Sequence, residues 1–210
     1  VNGYGANATA APGTIGDVNA LGFNQTTGSV VRGAVVTSTA LTAAMNVEVN
    51  GVAIGASTSA SALHKAEAIN AASAGVTASA RTVANLTIDL AGVTNAQLSD
   101  FSVNDITVNL ASAVNSADVV STINSTIGGA VDIVATADAT TGAVVLTSES
   151  GLTIDANSGT ATGFITAVTD INGVSVTAEA TGDYVTYGAL TLTSNDGGTI
   201  SIEDGEQDTH

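Results

Sequence analysis

Two stretches of the chain alternate apolar with polar residues, "NVEVNGVAIG" at 46–55 and "FSVNDITVNL" at 101–110. A period of two is the pattern of a strand with one buried face. Each stretch is followed by a segment with helical spacing. In the second segment Val120, Ile123 and Ile127 fall at i, i+3 and i+7, one apolar stripe of a helix laid on a sheet. In the first the stripe is weaker, Ala66 and Ile69 with Leu63 one turn earlier. Asn115 or Ser116 is placed to cap the second helix, and Asp118 in its first turn complements the helix dipole. Gly75, and the pair Gly128 and Gly129, supply the left-handed residue that a helix exit favours. A strand follows each exit. "ADATTG" then turns into "AVVLTS", and "SESG" or "SNDGG" turns back into "LTI" or "TISI".

These elements occur twice. "VNGVAI" at 49–54 lies on "VNDITV" at 103–108 with an offset of 54, and in that register Ile69, Asn70 and Gly75 fall on Ile123, Asn124 and Gly129 without a gap. A second alignment, at an offset of 46, lays "GAVVLTSESGLTI" (142–154) on "GALTLTSNDGGTI" (188–200). The motif positions are Asn50, Gly51, Ile69, Asn70 and Gly75 in the first copy and Ile123, Asn124 and Gly129 in the second. The Asn after each Ile reads as a hydrogen-bonding post, whose amide satisfies backbone groups of the exit loop that an apolar residue would leave unpaired.

The unit is strand, helix, strand and hairpin. Residues 101–155 contain all of it in order, whereas the first copy stops at Arg81 and finds its hairpin only at 188–203. One explanation is nesting, since a half-built sheet seeks its missing strands wherever the chain supplies them. The fold class is then α+β, mostly β, with two small sheet-plus-helix domains, the second inserted into the first. Residues 1–85 and 165–210 form a discontinuous proximal domain and 86–164 the inserted distal one, with "TVANLTIDLAGVT" and "FITAVTDINGVSVT" holding the crossings. The alternative is three beads in a row, the last degenerate. The first 45 residues offer one strand, "GSVVRGAVV", in a Gly/Ala/Thr-rich and otherwise irregular approach.

Composition narrows the picture. Of 210 residues 44% are hydrophobic but only 3% aromatic, with no Trp, so the interior must be built from Ala, Val, Ile and Leu. The net charge is −16, and the cations are Arg32, Lys65 and Arg81, which argues against nucleic-acid and anionic-membrane partners. Cysteine is absent, removing disulfides and thiolate metal sites. No apolar run reaches the length of a membrane span, and "VNGYGANATA" lacks the features of a signal peptide. A start at Val1 suggests a piece of something longer.

The combination "VEVNGVAIG", a Ser/Ala-rich helix ending in "AIN", then "GVTASA" and "GALTLTSNDGGTISI" resembles the repeated "IN" motif of bacterial flagellins and hook-associated proteins. The resemblance covers about 47–81, 101–155 and 171–203. It implies variable outer domains exposed on a filament surface, an extracellular location, other flagellin subunits as partners, and O-linked glycans on exposed Ser and Thr. The chain departs from the family in having no long amphipathic terminal helices of the kind that polymerise, in reading "VND" where the family tends to "ING", and in one extra Gly at the second helix exit.

Candidate chemistry is sparse. "HKAE" at 64–67 lacks the second histidine of a zinc-peptidase helix, and His64 reads as an exposed helix-face residue. The acidic stretch "SNDGG…IEDGEQD" at 194–208 offers oxygen ligands for calcium, but it lacks a 12-residue ligand loop and "NDGG" already reads as a turn. Asn7, Asn24, Asn85 and Asn124 begin Asn-x-Ser/Thr triplets, as expected by coincidence in such a composition. No catalytic, cofactor-binding or metal residues are assigned, and an enzyme is not expected. Two readings remain: a structural filament-surface region, or a hook-associated, cap or adhesin-like module gripping glycans or a host surface, for which Tyr184 and Tyr187 in "DYVTYG" are the best aromatic cluster.

Overall fold

The computed structural model describes residues 18–23, 28–179 and 182–204. The protein is mostly β, with two helices and several antiparallel sheets. In chain order the elements are β1 (Val30–Val35), β2 (Val47–Val49), β3 (Val52–Ala53), α1 (Ala62–Ala72), β4 (Val76–Ile88), β5 (Ser102–Val103), β6 (Ile106–Thr107) and α2 (Ser116–Ile127). There follow β7 (Val134–Ala137), β8 (Val144–Ser148), β9 (Ile154–Asn157), β10 (Ile165–Thr169), β11 (Asp183–Thr186), β12 (Ala189–Ser194) and β13 (Ile202–Asp204). The chain divides into two compact units, Val1–Arg81 with Tyr187–His210, and Thr82–Thr186, so the second is inserted into the first.

In the first unit β12 lies between β1 and the opening half of β4, and a small sheet runs β13–β2–β3, all antiparallel. The strand leaving α1 therefore takes its partner from the end of the chain, with Ala78 opposite Leu192 and Ser79 opposite Thr191. That pairing excludes three beads in a row. "GSVVRGAVV" supplies β1, and the short 3-10 turn Val18–Leu21 precedes it. Residues 1–17 and 24–27 of the N-terminal approach lie outside the described residues. Buried Leu21, Phe23, Val49, Ile69, Leu190 and Ile200 belong to one core.

In the second unit the closing half of β4 lies between β10 and β8, with β7 beyond β8; the other sheet runs β11–β9–β5–β6. Helix α2 packs on β7 and β8. Phe101 and Phe164 meet edge to face, their ring centres 5.5 Å apart, in a core with Ile123, Ile127 and Leu146.

The division between units falls at 81/82 and 186/187 rather than at 85/86 and 164/165. The cause lies in strand pairing. Arg81 still faces Ala189 of β12, whereas Thr82 already faces Ser148 of β8. Residues 165–186, assigned above to the proximal domain, supply β10 and β11, which pair with β4 and β9 inside the second unit.

Three local readings change. The alternating stretches are not single strands but tight hairpins, β2–β3 and β5–β6, because Asn50–Gly51 and Asn104–Asp105 have positive φ at both central turn positions. The stretches after β8 and β12 do not fold back as hairpins, since β9 and β13 join the small sheets. The buried stripe of α2 is Val119, Ile123 and Ile127, spaced by four, with Val120 at its half-buried margin. In α1 the buried face is Ala62, Lys65, Ala66 and Ile69, and Leu63 is only half-buried.

Ile123 is fully buried between α2 and the strands of the second unit. Ile123→Ala should therefore lower that unit's stability by about 2–5 kcal/mol while leaving β1 and β12 unaffected, as read by residue-resolved hydrogen exchange.

Candidate functional site: two asparagine clamps

In the first unit, α1 starts at Ser61, whose Oγ accepts from the His64 N–H, and ends with Ser73 in the left-handed conformation. Ile69 is fully buried and anchors the last turn. The next residue turns its amide to β4. Asn70 Nδ2 donates to the Ala78 carbonyl at 2.9 Å, and its Oδ1 accepts from the Ala78 N–H at 2.8 Å. In the second unit Asn115, not Ser116, caps α2 by accepting from the Asp118 N–H, and Asp118 in turn accepts from the Val114 N–H. Asn124, following buried Ile123, donates to the Ala135 carbonyl and accepts from the Ala135 N–H, each at 2.8 Å. The expected post is thus a two-bond clamp, and it grips the strand rather than the exit loop.

The clamped residues are equivalent by pairing. Ala78 faces Leu192 and Ala135 faces Leu146, the two leucines that the offset of 46 superposes. The exits differ in length, for Asn70 reaches eight residues ahead and Asn124 eleven. The gapless register therefore ends at the helices. Gly75 and Gly129 both have positive φ, whereas Gly128 caps α2 at φ −55°. A side chain at Gly128 would meet the Asn124 carbonyl oxygen, so close approach rather than handedness requires glycine there.

A second asparagine device holds the small sheets. Asn50 donates its backbone N–H to the Ser201 carbonyl, accepts from the Ser201 N–H, and donates from Nδ2 to the Ala74 carbonyl, each at 2.9 Å. Asn104 treats Asp155 in the same way, with Nδ2 on the Thr153 carbonyl. Gly51 completes the first turn and nothing crowds it. Asn104 was missing from the motif positions, although the offset of 54 from Asn50 marks it.

Lys65 also escaped sequence reasoning. It is fully buried, and its Nζ donates to the carbonyls of Ala20 (2.7 Å) and Thr37 (2.9 Å). Burial pulls its pKa down from 10.5 to about 8. Hydrogen bonds favour the charged form of carboxylates: Ser150 and Ser148 hold Asp132 below its ordinary value, and Thr141 and Thr140 do so for Asp138 in the β7–β8 turn.

The remaining candidates dissolve into structure. His64 is half-buried rather than exposed, its Nδ1 2.7 Å from Ser59 Oγ and 2.8 Å from Ser61 Oγ. Tyr184 packs against the core of the second unit and Tyr187 against that of the first, so each ring has a packing role within its own unit. Asp196 accepts from Ser194 Oγ and the Gly198 N–H, a turn arrangement. Residues 205–208 of the acidic stretch, and Asn7 and Asn24, lie outside the described residues; Asn85 is half-buried in β4. Among the described residues no three His, Asp or Glu side chains converge on a metal-sized position, and no helix is long and apolar enough to cross a membrane. No protein-family model matches the chain, and no curated protein matches it significantly.

Removing a clamp leaves a backbone donor and acceptor without partners. Asn70→Ala and Asn124→Ala should each destabilise their own unit by about 1–3 kcal/mol, with faster amide exchange at Ala78 or Ala135. Asparagine to aspartate at either position should retain the accepted bond and lose the donated one. Lys65 gives a pH dependence of defined sign. Its folded pKa is below the unfolded one, so the cost of burying its charge is full below pH 8 and is relieved as the pH rises from 8 to 10.5. The first unit should gain about 3 kcal/mol across that window. Lys65→Met should abolish the gain in denaturant titrations.

Proposed function

We propose that this chain is the outer, water-facing region of a bacterial flagellin, a structural part of the flagellar filament with no catalytic role. The observation that carries the reading is the doubled Ile-Asn device. Ile69 and Ile123 are buried, and the Asn after each clamps the following strand at equivalent places, the two residues that carry the resemblance. The acidic, cysteine-free composition supports a subunit region assembled outside the cell and facing water. On this reading the protein is extracellular, and its partners are other flagellin subunits, engaged mainly through polymerising helices that this sequence does not spell. Exposed Ser and Thr side chains carry O-linked sugars, and neither nucleic acid nor membrane is bound.

Antibodies raised against residues 82–186 test the assignment on intact cells of the source bacterium. Immunogold label should run along the whole length of the filament. Label confined to the hook or the filament tip, or to the cell interior, would overturn it.

A further inference from the structure

Asp155 lies on β9 and Asp183 on β11. In the antiparallel register Val185 faces Asp155 and Asn157 faces Asp183, so the two aspartates are diagonal neighbours on one side of the ladder. Diagonal side chains on one face can reach each other, and the Asp183 carboxyl pushes the Asp155 pKa up. One oxygen of each, Oδ1, is shut off from solvent and has no hydrogen-bond partner. Two ionised carboxylates cannot satisfy each other, because neither has a hydrogen to donate. A single proton between them supplies the missing donor.

The surroundings favour that proton. Asp105, from the β5–β6 turn, and Glu179, ahead of β11, add negative charge to the pair, and residues 82–186 contain no Lys, Arg or His. Asn104 holds both the N–H and the carbonyl of Asp155, so β9 is fixed on its β5 side. When both carboxyls ionise, the strand able to give way is β11.

We propose that Asp155 and Asp183 form a proton-operated latch, closed when they share one proton and loosened when both are charged, that governs how firmly β11 is held to β9. β11 is the last strand of the inserted unit, ending at Thr186 where the chain leaves it. The latch thus controls the closing seam of that unit. Burial and the facing carboxylate raise Asp155 to about 6. Because the folded pKa is raised, the stabilisation is complete below the ordinary carboxylate range near 4 and is lost as the pH rises through 6. This inference stands on the second unit alone and is independent of the filament reading.

The test uses the full chain. Side-chain carboxyl carbon shifts are followed by NMR from pH 3 to 8, with amide exchange at Tyr184 and Val185 corrected for the intrinsic pH effect. The wild type should show Asp155 titrating near 6, and protection of the β11 amides should fall roughly tenfold or more between pH 5 and 7.5 while β7 and β8 hold theirs. Asp183→Asn should lower the Asp155 pKa, leaving only the part of the shift due to burial and to Asp105 and Glu179, and flatten the pH dependence of protection. Asp155→Asn should flatten it independently, which keeps the test decisive if one variant folds poorly. Asp155 titrating near 4 in the wild type would overturn the latch, as would β11 protection with the same pH dependence in both variants.

Discussion

A side-chain amide carries the same donor and acceptor as a peptide group, and this fold uses that equivalence at each of its main joints. A helix packed on a sheet must hand the chain to a strand whose first residues have a strand partner along one edge only. Asn70 and Asn124 fill that gap by pairing with Ala78 and Ala135 as a neighbouring strand would. Asn50 and Asn104 combine the backbone N–H with the side-chain Oδ1 to pair with Ser201 and Asp155, where the small sheets accept a late-arriving strand. Each bond contributes only about 0.5–1.5 kcal/mol, but a lost partner leaves a backbone group unsatisfied. The clamps therefore fix register more than they add stability. With cores made mainly of Ala, Val, Ile and Leu, few bulky side chains are present to fix it by shape.

Much of this was legible in the sequence, because repetition turns one uncertain reading into two concordant ones. The α+β class, the nested order and the pairing of the early strand with a late one, β12, all follow from the two offsets. What escaped has physical causes. β10 and β11 have no counterpart in the first copy, so nothing in the repeat assigned 165–186 to the inserted unit. The Asn-Gly turn was concealed in an alternating run, because two very short strands with a two-residue turn preserve the look of one longer strand. Lys65 sits on the buried face of α1, where a charged residue interrupts the apolar stripe instead of announcing it. The aspartate pair becomes visible only when β9 and β11 are known to be neighbours.

Charge is distributed unequally between the units. Arg32, Lys65 and Arg81 all fall within the first, and one of them is spent inside it on two backbone carbonyls. The second has carboxylates alone. Some of these are eased by local donors, as Asp132 and Asp138 are by Ser and Thr, and Asp118 joins the cap of α2. Asp155 and Asp183 have no such donor for their buried oxygens. A unit without cations must use hydroxyls, peptide N–H groups and protons to stabilise its acids.

The six-residue link 138–143 between β7 and β8 occupies the place that, in the first unit, holds an entire inserted body between the opening half of β4 and β12. A hairpin tip asks only that its two ends leave and return side by side, so it is indifferent to what is spliced between them. Growth by lodging new modules at such tips lengthens the chain without rewriting any ladder already built, and the second unit retains that doorway in its unopened form.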